Sequence, residues 1–222
     1  MVSSFPGVMY GPLYCRQLER EKTLALKANK GDYDAGMTIT DKARAELIWW
    51  ETSLESSYNV ISHGESTVVL DTDASSTGWV CALNNTSTRG CWTAKDVENL
   101  IYYLELLAIC LALKAFSSMI NGQHVKVMVD NMTAQSDLNR MGTSSSERRN
   151  DLAKEIWLWC AQRNIWLTPA HIPGVENVEA DTQSRLPHSQ LEWTLDKSIF
   201  RVCITELQVV PDIDLFASRI NH

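Results

Sequence analysis

With 222 residues, 45% hydrophobic and 21% charged, the chain can bury one substantial core with flanking elements. It has no apolar run of about 18 residues and no basic stretch followed by an apolar one at its start, so the expectation is an intracellular chain with neither a membrane span nor a secretory leader. A formal charge of −7 argues against a broad basic surface that grips nucleic acid by neutralising phosphates.

Residues 12–30 alternate charged and apolar positions as an amphipathic helix does, and Gly31 stops them. This stretch carries a local basic excess, with Arg16, Arg20, Lys22, Lys27 and Lys30 against Glu19 and Glu21. Thr40 and Asp41 then cap a second helix, whose apolar stripe is predicted at Leu47, Ile48, Trp50 and Leu54. Trp49 and Trp50 read as packing residues in preference to a platform for stacked bases.

Three short β-rich runs follow, at residues 66–73, 75–84 and 87–93, separated by Ser, Gly and Asn turn chemistry. An apolar helix is predicted over 94–119, a strand over 124–130, helices from 133 and over 147–163, a fifth strand over 164–170 and a short helix over 175–185. This order gives an α/β fold with a mixed sheet, three antiparallel strands and then two parallel ones, flanked by helices. The six cysteines, Cys15, Cys81, Cys91, Cys110, Cys160 and Cys203, show no paired metal-ligand spacing and read as small buried hydrophobes. Beyond residue 187 the tail keeps Leu191, Trp193, Leu195, Ile199, Phe200, Val202 and Ile204, enough apolar content to dock on something.

Five carboxylates stand out, and four of them make a set. Asp71 and Asp73 alternate onto one face at the end of an apolar strand, where a pair of aspartates alone is ordinarily just solvated. Glu105 lies in LELLAICLALKAF, a helix apolar nearly all round. A buried carboxylate there costs several kcal/mol unless it is protonated, paired or bound to a cation, and Lys114, nine residues on, is more than two turns away. Asp130 ends the strand in which Val125, Val127 and Val129 take one face, and strand C-termini are where open α/β sheets place their ligands. Asp181 follows His171 by ten residues and by itself would be an ordinary helix charge. Together Asp73, Glu105, Asp130 and Asp181 could hold two divalent cations about 4 Å apart for phosphodiester hydrolysis. Oxygen-only ligands select Mg²⁺ or Mn²⁺ over zinc.

The segments TDAS, ELLA, VDN and AHIPGVENVEAD, in that order and spacing, resemble the motifs of type 1 ribonuclease H over residues 66–186. With the trailing DLFASR they are more closely similar to the ribonuclease H region joined to reverse transcriptases of DIRS-type retrotransposons. The resemblance implies a ribonuclease H-like domain over 64–187, preceded at 1–63 by the end of a reverse transcriptase and followed at 188–222 by a linker. It implies a metal-dependent endonuclease acting on the RNA strand of RNA-DNA hybrids, with two Mg²⁺ ions, a reverse transcriptase domain as partner and no membrane.

By the same resemblance Asp73 bridges both metals, Asp181 joins it at the metal that activates water, and Glu105 and Asp130 complete the other. His171 would aid proton transfer or product release, and Ser75, Tyr102 and Asn131 would contact substrate, the ribose 2′-hydroxyl being read close to Glu105. Tyr102 stands where many relatives have an Asn that contacts the hybrid, and Gln183 replaces the usual apolar residue in the last motif. The segment from 137 to 151 is short and holds Arg140, Arg148 and Arg149 in place of a long basic handle. The competing reading is a folded but catalytically silent retroelement fragment that serves, if at all, as an interaction domain. Integrases and 3′ exonucleases of the same fold order their carboxylates differently, without a Glu in the first long helix.

Overall fold

Alternation of Val with larger polar or flexible residues makes 124–129 a strand buried on one face, and Val125, Val127 and Val129 are fully buried there. In the computed structural model, which describes residues 7–173 and residue 206, this is the fourth of five strands. The strands are β1 (Val68–Ala74), β2 (Gly78–Leu83), β3 (Thr86–Cys91), β4 (His124–Val129) and β5 (Trp166–His171). The helices are α1 (Arg16–Ala28), α2 (Asp41–Ser53), α3 (Ile101–Ala115), α4 (Ser117–Ile120), α5 (Met132–Asn139) and α6 (Glu147–Ala161). The chain divides into two compact units, Met1–Ser184 and Arg185–His222, and all described residues but Glu206 belong to the first. Among the described residues no helix is long and apolar enough to cross a membrane.

The sheet order is β3-β2-β1-β4-β5, with β1–β2 and β2–β3 antiparallel and β1–β4 and β4–β5 parallel. This is the mixed five-stranded, helix-flanked sheet expected from the sequence, three antiparallel strands and then two parallel ones. The core gathers Leu70, Leu83 and the three valines of β4 under Leu106, Ile109 and Leu113 of α3 and Ile156 and Trp157 of α6. The indole of Trp157 donates to the Leu138 carbonyl at 3.0 Å, which ties α6 to the end of α5. Pro169 sits inside β5, the edge strand opposite Val127, and its carbonyl accepts from Asn139 Nδ2 at 3.3 Å and Gln135 Nε2 at 3.5 Å.

Two elements differ from the sequence reading. Helix α3 starts at Ile101, seven residues later than predicted. The side chains ahead of it occupy the backbone: Asp96 Oδ2 accepts from Thr93 N at 3.0 Å, and Asn99 Nδ2 donates to the carbonyls of Lys95 and Asp96. Helix α2 turns a different face inward: Ala43, Glu46 and Trp50 are buried, whereas Leu47, Ile48 and Leu54 of the predicted stripe are 41%, 51% and 48% exposed. The Glu46 carboxylate accepts from the amides of Gln17 at 3.2 Å and Leu18 at 3.1 Å, at the start of α1. Trp50 Nε1 donates to the Tyr14 carbonyl at 2.9 Å. Those directed bonds fix the rotation of α2 against the weaker pull of three aliphatic side chains. Trp49 stacks on Tyr14 with centroids 3.8 Å apart, so both tryptophans pack within the protein.

Cys15, Cys81, Cys110 and Cys160 are buried free thiols, as the sequence suggested, while Cys91 is half-buried and Cys203 lies outside the described residues. Burial pushes the thiols of Cys81 and Cys160 up to about 12 and that of Cys15 up to about 11, which keeps them un-ionised.

Gly78 opens β2 with its α-carbon against the neighbouring strand, and a β-carbon there would lie 2.5 Å from the Gly90 carbonyl oxygen. Gly78→Ala is expected to push β3 away and to cost roughly 2 kcal/mol in a urea melt. An unchanged midpoint would show that the strands spread freely.

Candidate active site

The parallel pairing of β1 with β4 sets Asp71 opposite Met128. Two residues further along both strands come Asp73, 2% exposed near the end of β1, and Asp130, half-buried just after β4. Helix α3 packs against β1 and β2 and brings in Glu105, 3% exposed. Asp73, Glu105 and Asp130 each offer a carboxylate oxygen, and these oxygens all lie within 4.8 Å of one another. The cluster takes Asp73 and not Asp71, although both share a strand face.

Trp92, just past β3, helps hold that convergence together, and the sequence reading passed over it. Its indole donates to the Ser75 carbonyl at 2.8 Å, and its ring packs with Ala74, Leu104 and Ala108. It therefore wedges between the end of β1 and α3, next to Asp73 on one side and Glu105 on the other. The available signal was a tryptophan directly after a short polar strand.

Electrostatically the cluster is overloaded. Burial first, and then the neighbouring Asp130 and Asp73, push the Glu105 carboxyl up to about 9. Its Oε2 is buried and, among the described residues, has no hydrogen-bond partner. Lys114, the nearest cation along α3, is committed to Glu155 at 2.9 Å. A protonated or cation-bound Glu105 resolves the crowding, and three hard oxygen ligands around one buried orphan oxygen fit a divalent cation.

The remaining predicted residues fall as follows. His171 ends β5, and its Nε2 donates to the Asp130 carbonyl at 3.1 Å, which leaves Nδ1 as the acceptor in the neutral ring. Ser75 shapes the turn after Asp73: its Oγ accepts from the Gly78 amide at 3.2 Å and its own amide donates to the Gly78 carbonyl at 2.8 Å. Asn131 caps α5, accepting from the amides of Thr133 at 3.0 Å and Ala134 at 3.1 Å. Tyr102 is 46% exposed, one turn before Glu105 on α3. Asp181 and Gln183 lie outside the described residues, with the helix predicted over 175–185.

No family model matches the sequence, and no curated protein matches it either. Among solved structures, ribonuclease H1 from the halophilic archaeon Halobacterium salinarum NRC-1 is similar at 15% identity and a TM-score of 0.43, covering 52% of this chain and 92% of that one. LC11-RNase H1 in complex with an RNA/DNA hybrid gives 16% identity and a TM-score of 0.43 over the same shares. A foamy viral protease-reverse transcriptase in complex with double-stranded DNA gives 16% identity and a TM-score of 0.35, covering 69% of this chain and 33% of that one.

Proposed function

We propose that this chain is a metal-dependent endonuclease that hydrolyses the RNA strand of RNA-DNA hybrids, within the reverse transcriptase region of a DIRS-type retrotransposon. The observation that carries the reading is the convergence of Asp73, Glu105 and Asp130, in that chain order, at the ends of adjacent parallel strands and on the first long helix. In this reading residues 1–63 are the end of a reverse transcriptase, 64–187 the nuclease and 188–222 a linker, and the chain acts inside the cell beside a polymerase domain.

Asp73, Glu105 and Asp130, joined by Asp181, would hold two Mg²⁺ ions. Bound there, divalent cations supply an acidified water and charge neutralisation at the departing oxygen. Burial and the neighbouring Asp130 and Asp73 favour the protonated form of Glu105, and a cation held there would take the place of that proton. His171, held through Nε2–H to the Asp130 carbonyl, would take a proton from solvent at Nδ1 and pass it to the leaving 3′-oxygen. Tyr102, exposed one turn before Glu105, would contact the hybrid near the 2′-hydroxyl. The products are a 3′-hydroxyl and a 5′-phosphate.

The test is incubation of the full chain with an end-labelled hybrid and Mg²⁺, beside duplex DNA and beside Asp73→Asn. Cleavage of the RNA strand in the hybrid alone, lost in Asp73→Asn, is the expected result. Binding of the hybrid with no cleavage at high protein concentration overturns the nuclease and leaves the silent interaction domain.

A further inference from the structure

A polar cavity of about 490 Å³ runs along α5 from Met132 and Thr133 to Arg140, where α1 and the loop from α5 to α6 meet it, and none of the clustered carboxylates lines it. Its lining includes Arg16, Arg140 and Arg149 together with Ser136, Thr143 and Ser144. We propose that this cavity binds a backbone phosphate of a nucleic-acid strand, so that the N-terminal helix α1 and the α5–α6 loop share one substrate contact. The proposal rests on the nuclease reading above only for the identity of that strand.

The site is built before any ligand arrives. Arg16, with only 15% of its side chain exposed, is held by Glu19 at 2.8 Å and by a hydrogen bond to the Arg140 carbonyl, yet its buried Nε has no partner among the described residues. Arg149, equally buried, donates through Nη2 to Ser145 Oγ at 2.9 Å. Its Nη1 stands 3.1 Å from Asp137 Oδ2 but out of hydrogen-bonding line. The loop wraps closely around this floor: at Gly142, φ +118°, a β-carbon would lie 2.4 Å from Asn150 Oδ1 and 3.0 Å from Arg16 Cγ. Among the described residues Arg140, exposed at the rim, has neither an ion pair nor a side-chain hydrogen bond.

Charge and chemistry select the ligand. Three guanidiniums face two carboxylates, Glu19 and Asp137, so the cavity keeps a net positive charge within a chain of net −7. Guanidinium forks interleaved with Ser and Thr hydroxyls are the donor set that nucleic-acid phosphates receive from proteins. Position selects the strand. Helix α5 begins two residues after Asp130 and ends beside Arg140, so its eight residues span about 12 Å. That reach matches three or four nucleotides at about 3.4 Å each, which lets one strand touch both the carboxylates and the cavity.

Anisotropy of a labelled hybrid, titrated with the full-length Asp73→Asn chain across salt concentrations, reads the contact directly. Arg140→Glu, at an exposed side chain with no ion pair or side-chain hydrogen bond among the described residues, is expected to weaken binding about tenfold at low salt and to reduce the salt slope by about one, with Arg140→Lys close to the parent. An unchanged slope in Arg140→Glu overturns the proposal even if the parent chain cuts the hybrid. A slope that depends on Arg140 in a chain that cuts nothing sustains the cavity and defeats the nuclease. Titration of ¹⁵N-arginine signals with inorganic phosphate separates the sources: a response at Arg16 Nε without any slope change assigns the cavity to free phosphate and overturns the strand contact.

Discussion

Glu105→Gln is expected to lose hybrid cleavage by about three orders of magnitude and, in the same protein freed of metal, to gain stability at neutral pH. The loss follows from removing one of the three oxygens that converge within 4.8 Å. The gain follows from linkage. The folded-state pKa of Glu105, about 9, lies above its ordinary 4.5, so near pH 4 both the folded and unfolded states hold the proton and none of the stability is forfeited. As pH rises from 4.5 through 9 the unfolded chain releases that proton first, and folded stability falls by about 1.4 kcal/mol per unit, roughly 3 kcal/mol at pH 7. Gln carries no such titration. Thermal melts in EDTA should therefore coincide near pH 4 and separate by several degrees at pH 7, with the variant higher. Mg²⁺ should stabilise the parent and leave the variant nearly unmoved. Parallel melting curves from pH 4 to 8 would mean that Glu105 is not held protonated.

Glu46→Ala is expected to destabilise the protein by about 3 kcal/mol and to loosen α1 ahead of the sheet. Glu46 is 4% exposed, and its two oxygens are bonded to the first amides of a helix 28 and 29 residues away, where a negative charge also meets the positive end of the helix dipole. Desolvation outweighs those bonds and raises its pKa, so the carboxylate costs something to bury. Removing it costs more, because two half-buried N–H groups lose their acceptor. Glu46→Gln, which keeps an acceptor oxygen, should recover more than half of the loss. Hydrogen exchange at Gln17 and Leu18 locates the effect; protection lost evenly over β1 and β4 in place of α1 would count against it. Because Arg16 precedes those amides, the same substitution should also weaken the anion cavity.

The sheet could be read from the sequence because its strands carry their own evidence: three valines at alternate positions in β4, and an apolar run ending in aspartates in β1. Glu105 could be read because a carboxylate on an otherwise apolar helix has few physical explanations. The inward face of α2 could not, since burying Glu46 in place of Leu47 depends on amides in another helix. The start of α3 depended on which backbone groups Asp96 and Asn99 would claim. The anion cavity joins Arg16 to Arg140 across 124 residues, a distance at which no local pattern speaks. Trp92 looked like one aromatic among many until its indole was seen on the Ser75 carbonyl.

Pro169 bears on how copies of this protein meet. An outer strand offers a ladder of unsatisfied amides and carbonyls on which a second chain can grow. In β5 the proline removes an amide midway along, and Gln135 and Asn139 already occupy its carbonyl. At the opposite edge β3 is short and polar, with Thr86, Ser87, Thr88 and Arg89 in sequence. Among the described residues the β5 edge is thus interrupted by a missing donor and the β3 edge is lined by polar residues, which disfavours edge-to-edge self-association of the folded domain.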